Sequence, residues 1–154
     1  MARIGRVKVD YKPRDEYYTP KWIFDELGIK FDLDPAHPDF DTDVPVSSFF
    51  TKSDNGLERE WYGNVWMNPP FSESKFWVQK FMNHKNGIAL LPFAKSGWLI
   101  EIWNDCEAVL PLPYNIRFTY EGKTNGSIFL PVALFAYGKH NVEALNRLNK
   151  GRVR

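Results

Sequence analysis

Apolar positions along this 154-residue chain recur with two different periods, and prolines and glycines mark where the period changes. Lys30 to Asp34 alternates and ends at Asp34-Pro35, which predicts a first core strand, with a loop from Asp34 to Asp41. Val44 to Phe50 predicts a second strand, and Val65-Trp66-Met67, Gly87 to Leu91 and Ala108 to Leu112 predict three more. Between them the spacing turns helical. Thr19 is placed as an N-cap with Pro20 in the first helical position. Ile23, Phe24 and Leu27 then face inward, and Gly28 ends the helix. A second helix is predicted from a cap at Ser72 or Ser74 to about His84, with Trp77, Val78, Phe81 and Met82 on its inner face. Trp98 to Trp103 and His140 to Lys150 predict two further helices, the last burying Val142, Leu145 and Leu148. Ile116 to Phe118, a polar span from Thr119 to Asn125, and Ser127 to Tyr137 read as a hairpin, with Pro131 marking a bulge or an edge. Strands alternating with helices predict an α/β fold. Its sheet is mostly parallel, with an antiparallel hairpin near the C-terminus.

One stretch departs from ordinary punctuation. Val65-Trp66-Met67 runs straight into Asn68-Pro69-Pro70-Phe71. Proline has no N–H to give to a sheet ladder, so the strand must end there and turn out of the sheet. The turn carries an amide, two fixed φ angles and an aromatic ring, a set suited to holding an exocyclic amine. The Asn68 side-chain oxygen can accept one N–H of an NH2 group, and the Pro69 carbonyl can accept the other. Phe71 can lie against a planar ring. Two acceptors on one NH2 draw its lone pair out of conjugation and make the nitrogen a nucleophile. A strand followed by an idle Pro-Pro turn is the plain alternative.

Composition narrows the class. The length predicts one core and a single domain, residues 15–154, behind an N-terminal arm, residues 1–14. Val7 and Val9 leave room for a short edge strand in that arm. No apolar run approaches the roughly 20 residues that span a bilayer, so no membrane is expected. The single cysteine, Cys106, excludes an internal disulfide and fits a reducing cytoplasm. Net charge is +1, unevenly spread. Residues 1–14 carry five Lys/Arg against one Asp, and residues 15–73 carry four against thirteen acids. Residues 74–154 carry eleven Lys/Arg against five acids. The basic arm and basic C-terminal half suit a phosphate backbone, and solvated surface charge is the other reading. His37, Asp39 and Asp41 match no strong ligand spacing, and no metal is expected.

Asn68-Pro69-Pro70-Phe71 is similar to the (D/N/S)-P-P-(Y/F) motif of S-adenosylmethionine-dependent amino methyltransferases. The wider pattern resembles the small phage-type DNA N6-adenine methyltransferases, the Dam-like phage family. It comprises Tyr18-Thr19-Pro20, Phe31 to Ala36, Asp54 to Leu57, Trp61, Gly63, Trp66 to Phe71, Trp77-Val78 and Leu90 to Pro92. The resemblance spans about residues 15–137 and implies a reduced Rossmann-like methyltransferase fold. It implies S-adenosylmethionine as cofactor, DNA as partner, methyl transfer to N6 of adenine, and the cytoplasm of a bacterial host as location. Asn68, Pro69, Pro70 and Phe71 are the implied catalytic turn. Tyr18, Thr19, Pro20, Asp34, Pro35 and Asp54 are the cofactor candidates, and Phe93, Lys95, Arg117 and Lys123 the substrate candidates. Thr19-Pro20 reads equally as a plain helix cap, and Asp54 as a turn residue. The loop after Asp34 holds no glycine, where many methyltransferases are glycine-rich. The same turn also occurs in enzymes that methylate RNA guanine or protein glutamine. A non-catalytic nucleic-acid-binding module on a decayed methyltransferase fold is the alternative from another class.

Overall fold

A computed structural model describes residues 19–112, 117–120, 123–127 and 131–148, the second and third of these by backbone alone. The basic arm, Tyr18 and the Glu121-Gly122 tip lie outside the described residues. In chain order the elements begin with α1 (Lys21–Leu27), β1 (Phe31–Asp34), β2 (Val46–Phe49), β3 (Val65–Met67) and α2 (Ser74–His84). There follow β4 (Gly87–Pro92), α3 (Gly97–Asp105), β5 (Ala108–Pro111), β6 (Arg117–Tyr120) and β7 (Lys123–Ser127). The chain closes with β8 (Val132–Tyr137) and α4 (Lys139–Leu148).

Six strands form one sheet in the order β2-β1-β3-β4-β8-β5. Pairing is parallel from β2 across to β4, and β8 runs antiparallel to both of its neighbours. This is a mixed α/β arrangement consistent with a methyltransferase-like fold. The central strands are apolar on both faces because both faces are covered. All residues of β3, β4 and β8 are buried, whereas β2 at the edge alternates half-buried with exposed positions.

Two apolar layers result. On one face, Ile23, Phe24 and Leu27 of α1 and Ala144, Leu145 and Leu148 of α4 pack on Phe31, Trp66, Ile88 and Leu90. On the other, Trp77, Val78 and Phe81 of α2 and Ile102 of α3 pack on Leu33, Val65, Met67, Ala89 and Leu91. Period-two alternation along β3 sends Trp66 to the first layer and its two neighbours to the second. Phe24 meets Trp66 edge-on at 4.7 Å. Fully burying one such side chain contributes roughly 1.5–3 kcal/mol.

The hairpin differs from the sequence expectation. Arg117–Tyr120 pairs with Lys123–Ser127 as a separate two-stranded sheet, so much of the polar span is itself strand. Val132–Tyr137 instead joins the main sheet between β4 and β5. Six consecutive apolar residues cannot be left on a two-stranded ribbon with an open face, and the sheet centre buries them all. Pro131 stands just before β8, where no ladder N–H is required, and its carbonyl accepts the Phe93 N–H at 2.8 Å.

The first helix starts one residue later than its cap chemistry predicts. Pro20, in extended conformation, holds the N-cap place, and no side chain caps the helix. Gly28 ends it in the left-handed region at φ 69°, its N–H donating to the Phe24 carbonyl. Beside that end, the Arg147 guanidinium of α4 donates twice to the Leu27 carbonyl, at 2.7 and 3.1 Å. A cation is favourable at a helix C-terminus, and here it also ties α4 to α1. Arg147→Ala is expected to lower the urea unfolding free energy by about 1 kcal/mol, within the range for a charge-assisted bond at a partly exposed site. Arg147→Lys, which keeps the charge without the fork, should recover only part of it.

Candidate active site

The strand order reverses between β1 and β3: β2 lies outward of β1 on one side, and β3 leads to β4 on the other. In open parallel sheets a crevice forms beyond the carboxyl ends at that point, because the two flanking connections leave in opposite directions. A cavity of about 380 Å³ lies there. Its wall includes Thr19, Asp34, Pro35, Asn68 and Pro70, five of the residues singled out in the sequence.

At the end of β3 the chain behaves as two prolines require. Pro69 is buried and Pro70 adopts φ −57° and ψ 121°. A short 3-10 turn, Phe71–Glu73, then leads into α2. Glu73 occupies the cap position and no side-chain hydrogen bond caps the helix, so neither Ser72 nor Ser74 is its cap. The Ser74 hydroxyl instead donates to the Phe71 carbonyl at 2.9 Å and tightens the turn. Phe71 is half-buried and packs on the layer that contains Trp66. Asn68 is half-buried, and its amide N–H donates to the Thr19 hydroxyl at 3.3 Å. Thr19 is therefore not a helix cap; its oxygen is given to Asn68, 49 residues away.

At the end of β1, Asp34 is 2% exposed. One carboxyl oxygen accepts the Ala36 N–H at 3.2 Å, and the other meets His37 Nδ1 at 2.8 Å. Burial pushes the Asp34 carboxyl above its ordinary value, while His37 and the Ala36 N–H pull the other way. The Asp34 and Pro35 end of β1 is also where the opposite wall makes contact. Gly56 sits so close to Pro35 that a Cβ would overlap the Pro35 carbonyl. Trp61 holds this wall: its indole N–H donates to the Gly56 carbonyl at 2.8 Å, and its ring stacks on Trp77 at 6.2 Å. Lys80 reaches the Leu57 carbonyl at 2.8 Å from α2.

Other candidates fall elsewhere. Asp54 turns its carboxylate back to the Thr51 N–H and hydroxyl, at 2.9 and 3.1 Å, which holds it below the usual carboxylate range. Thr51, Lys52 and Asn55 line the cavity and Asp54 does not. Pro20 and Pro69 adjoin lining residues without lining the cavity. Phe93 is half-buried and edge-on to Trp103 at 6.1 Å, and Lys95 is exposed. Both follow β4, the parallel neighbour of β3, so they stand on the carboxyl edge with the Asn68–Phe71 turn. Arg117 and Lys123 lie in β6 and β7, described by backbone alone, and Tyr18 lies outside the described residues. Among the described residues no group of three or more His, Cys, Asp or Glu could hold a metal ion.

The sequence missed several wall residues: His37, Phe40, Thr51, Asn55, Trp66, Glu73 and Trp77. Trp66 and Trp77 carried a core signature and are indeed buried, at 1% and 7% exposure. Nothing in their spacing shows that the same rings also face a cavity.

A family model described as DNA N-6-adenine-methyltransferase (Dam) matches residues 6–118, most of the chain. The chain belongs to that family. It is an enzyme that methylates N6 of adenine in DNA, and its family implies S-adenosylmethionine as methyl donor. The matched span holds β1 to β5 and the Asn68–Phe71 turn. No curated relative and no solved structure matches the methyltransferase. Among the described residues no helix is long and apolar enough to cross a membrane.

The contact at Gly56 yields a test of the cavity wall. Gly56→Ala must move either Pro35 or the turn, two pieces of backbone, and should cost roughly 1–3 kcal/mol in denaturant unfolding, as overpacking does. Gly97→Ala is the control, because a Cβ there meets nothing within 4 Å. It should leave stability unchanged or slightly raised.

Proposed function

We propose that the cavity between β1 and β3 takes S-adenosylmethionine and that the Asn68–Phe71 turn presents the target adenine to it. One observation carries the reading. Asn68 belongs to the turn, lines the cavity and is hydrogen-bonded to Thr19, so amine-holding and cavity-lining groups form one unit. The cavity volume falls within the roughly 300–1,000 Å³ of small-molecule sites. Trp66 and Trp77 add apolar surface to the lining, and the Asp34 carboxyl complements a cation. The donor supplies an electrophilic methyl on a sulfonium, so the chain need only bind, orient and activate the amine.

The residues divide that work. The Asn68 side-chain oxygen and the Pro69 carbonyl each accept one N–H of the adenine amine, which leaves the nitrogen lone pair directed away from the ring. Thr19 fixes the rotation of the Asn68 amide. Phe71 stacks on the base. The base must leave the duplex, because its N6 cannot reach a buried donor from within the stack. Asp34 and Pro35 position the cofactor at the end of β1, with Pro20 beside Thr19 and Asp54 organising the opposite turn, and Tyr18 is a further cofactor contact. A single methyltransferase domain follows a basic arm that rests on phosphates.

Asn68→Ala is expected to remove most turnover in a folded protein, at a cost on the order of 2–4 kcal/mol in the barrier, the scale of one preorganised polar contact. Incubation with labelled S-adenosylmethionine and unmodified DNA, followed by nucleoside analysis, measures it. Full activity in the variant would overturn the role given to the turn. Phe71→Ala should weaken base binding by roughly 1–3 kcal/mol, whereas Phe71→Tyr should retain activity.

Target choice falls to a few side chains near the turn. Base edges are read by Phe93 and Lys95, which stand on the carboxyl edge with the turn, and by Arg117 and Lys123 of β6 and β7. Each good bidentate contact discriminates by roughly 1–3 kcal/mol, so these few groups specify a short adenine-containing site. Binding should fall steeply with salt, and deleting residues 2–10 should weaken it almost equally across sequences. Mapping methylated adenines on genomic DNA at single-base resolution tests this. A strict site of six or more bases would contradict it.

A further inference from the structure

His37 lines the cavity, yet the amine-holding turn and the Asp34 carboxyl leave it without a role. It is 9% exposed, more buried than a histidine with nothing to do is expected to be. Two contacts fix its ring. Nδ1 meets the Asp34 carboxyl at 2.8 Å, and one ring face stacks on Phe49 at 4.2 Å with 27° between planes. Nε2 has no hydrogen-bond partner among the described residues. A polar nitrogen held this way, in the wall of a cavity, is a preorganised contact waiting for a ligand atom.

The chemistry of that nitrogen is set by the one behind it. Nδ1 faces the Asp34 carboxyl at 2.8 Å, and an N–H donating there makes Nε2 the acceptor nitrogen of the ring. Such an acceptor needs a donor from the ligand. Pro38, Asp39 and Phe40, which follow His37 in the loop, also line the cavity, so a proline and an aromatic ring stand there beside a carboxylate that could take a ribose hydroxyl. That surrounding suits a nucleoside better than a zwitterionic amino-acid end. We propose that His37 Nε2 accepts a hydrogen bond from an O–H or N–H of the adenosine moiety of the bound cofactor, and so acts as a specificity-determining contact. The assignment rests on the reading that the cavity takes S-adenosylmethionine. His37 is thus a ligand contact, and Asp34 in part its positioning residue.

Two substitutions separate the halves of the ring. His37→Asn keeps an N–H near the Nδ1 place for Asp34 and removes the acceptor. His37→Gln carries an amide oxygen to about the place of Nε2. Calorimetric titration with S-adenosylhomocysteine should show His37→Asn binding about tenfold more weakly than the parent, and His37→Gln within about threefold of it, the scale of one buried hydrogen bond. The partner atom follows from repeating the titration with the 2′-deoxy, 3′-deoxy and 6-amino-less analogues. For one of them the penalty of His37→Asn should vanish, as in a double-mutant cycle.

Equal affinity of the parent and His37→Asn would overturn the proposal. So would a penalty that persists in all three analogues, or one that disappears only with 5′-methylthioadenosine, which lacks the amino-acid end. Failure of the parent itself to bind S-adenosylhomocysteine would overturn the cofactor-site reading and this assignment together. Unfolding curves for both variants exclude misfolding as the cause of weak binding.

Discussion

Two consecutive residues without an N–H set the geometry of this enzyme. Pro69 and Pro70 end β3 after three residues and forbid any further ladder, so the chain must leave the sheet at its carboxyl edge. Because β3 borders the point where strand order reverses, it leaves directly into the crevice that β1 opens from the other side. An amide placed one residue earlier would be a ladder residue with its side chain in a core layer. At Asn68 it is half-buried and within hydrogen-bond distance of Thr19. The turn therefore depends on the sheet for its position, and the cavity depends on the turn for one wall.

Most of this was legible because it rests on local rules. Val65–Met67 and its prolines were read from three apolar residues and the missing donors. Gly28 was read from the need for a left-handed residue after a helix. The rule failed at Thr19, where cap propensity is a local preference of about 1 kcal/mol and a partner 49 residues away displaced it. It failed again at Ser127–Tyr137. Period and polarity there could not say which neighbour a strand would choose, and the six apolar residues of β8 were settled by the sheet centre. Asp34 and Pro35 were reached through the end of a strand. His37 was not, because a loop residue's ring orientation depends on Phe49, brought close only by the parallel pairing of β1 and β2.

The glycine-free loop after β1 has its own physical logic. A glycine-rich loop brings backbone N–H groups close to a ligand, since no Cβ intervenes. Here the loop runs Asp34-Pro35-Ala36-His37-Pro38, and its prolines offer no N–H at all. Its backbone N–H groups also go inward: Ala36 donates to Asp34, and His37 to the Phe50 carbonyl at 2.9 Å. Polar contacts from this side of the cavity must then come from side chains. The cavity wall has a glycine on the opposite side, where Gly56 allows the turn to meet Pro35. Close approach is thus kept, between two pieces of protein rather than between protein and ligand.

That exchange makes the site depend on burial. A carboxylate and an imidazole placed in a loop would ordinarily be solvated and mobile, and would gain little from contact with a ligand. Asp34 and His37 are both largely removed from water, one fixed by an N–H of its own loop and the other by an aromatic face. Holding them so carries a desolvation cost, visible as the upward pull on the Asp34 carboxyl. The cost is met by the rest of the fold, since the strand that presents them pairs on both sides and Leu33 beside Asp34 is wholly buried. Weakening β2 at the edge would therefore reach the cavity before it reached the core, because Phe49 in that strand is one of the two contacts that keep the imidazole in place.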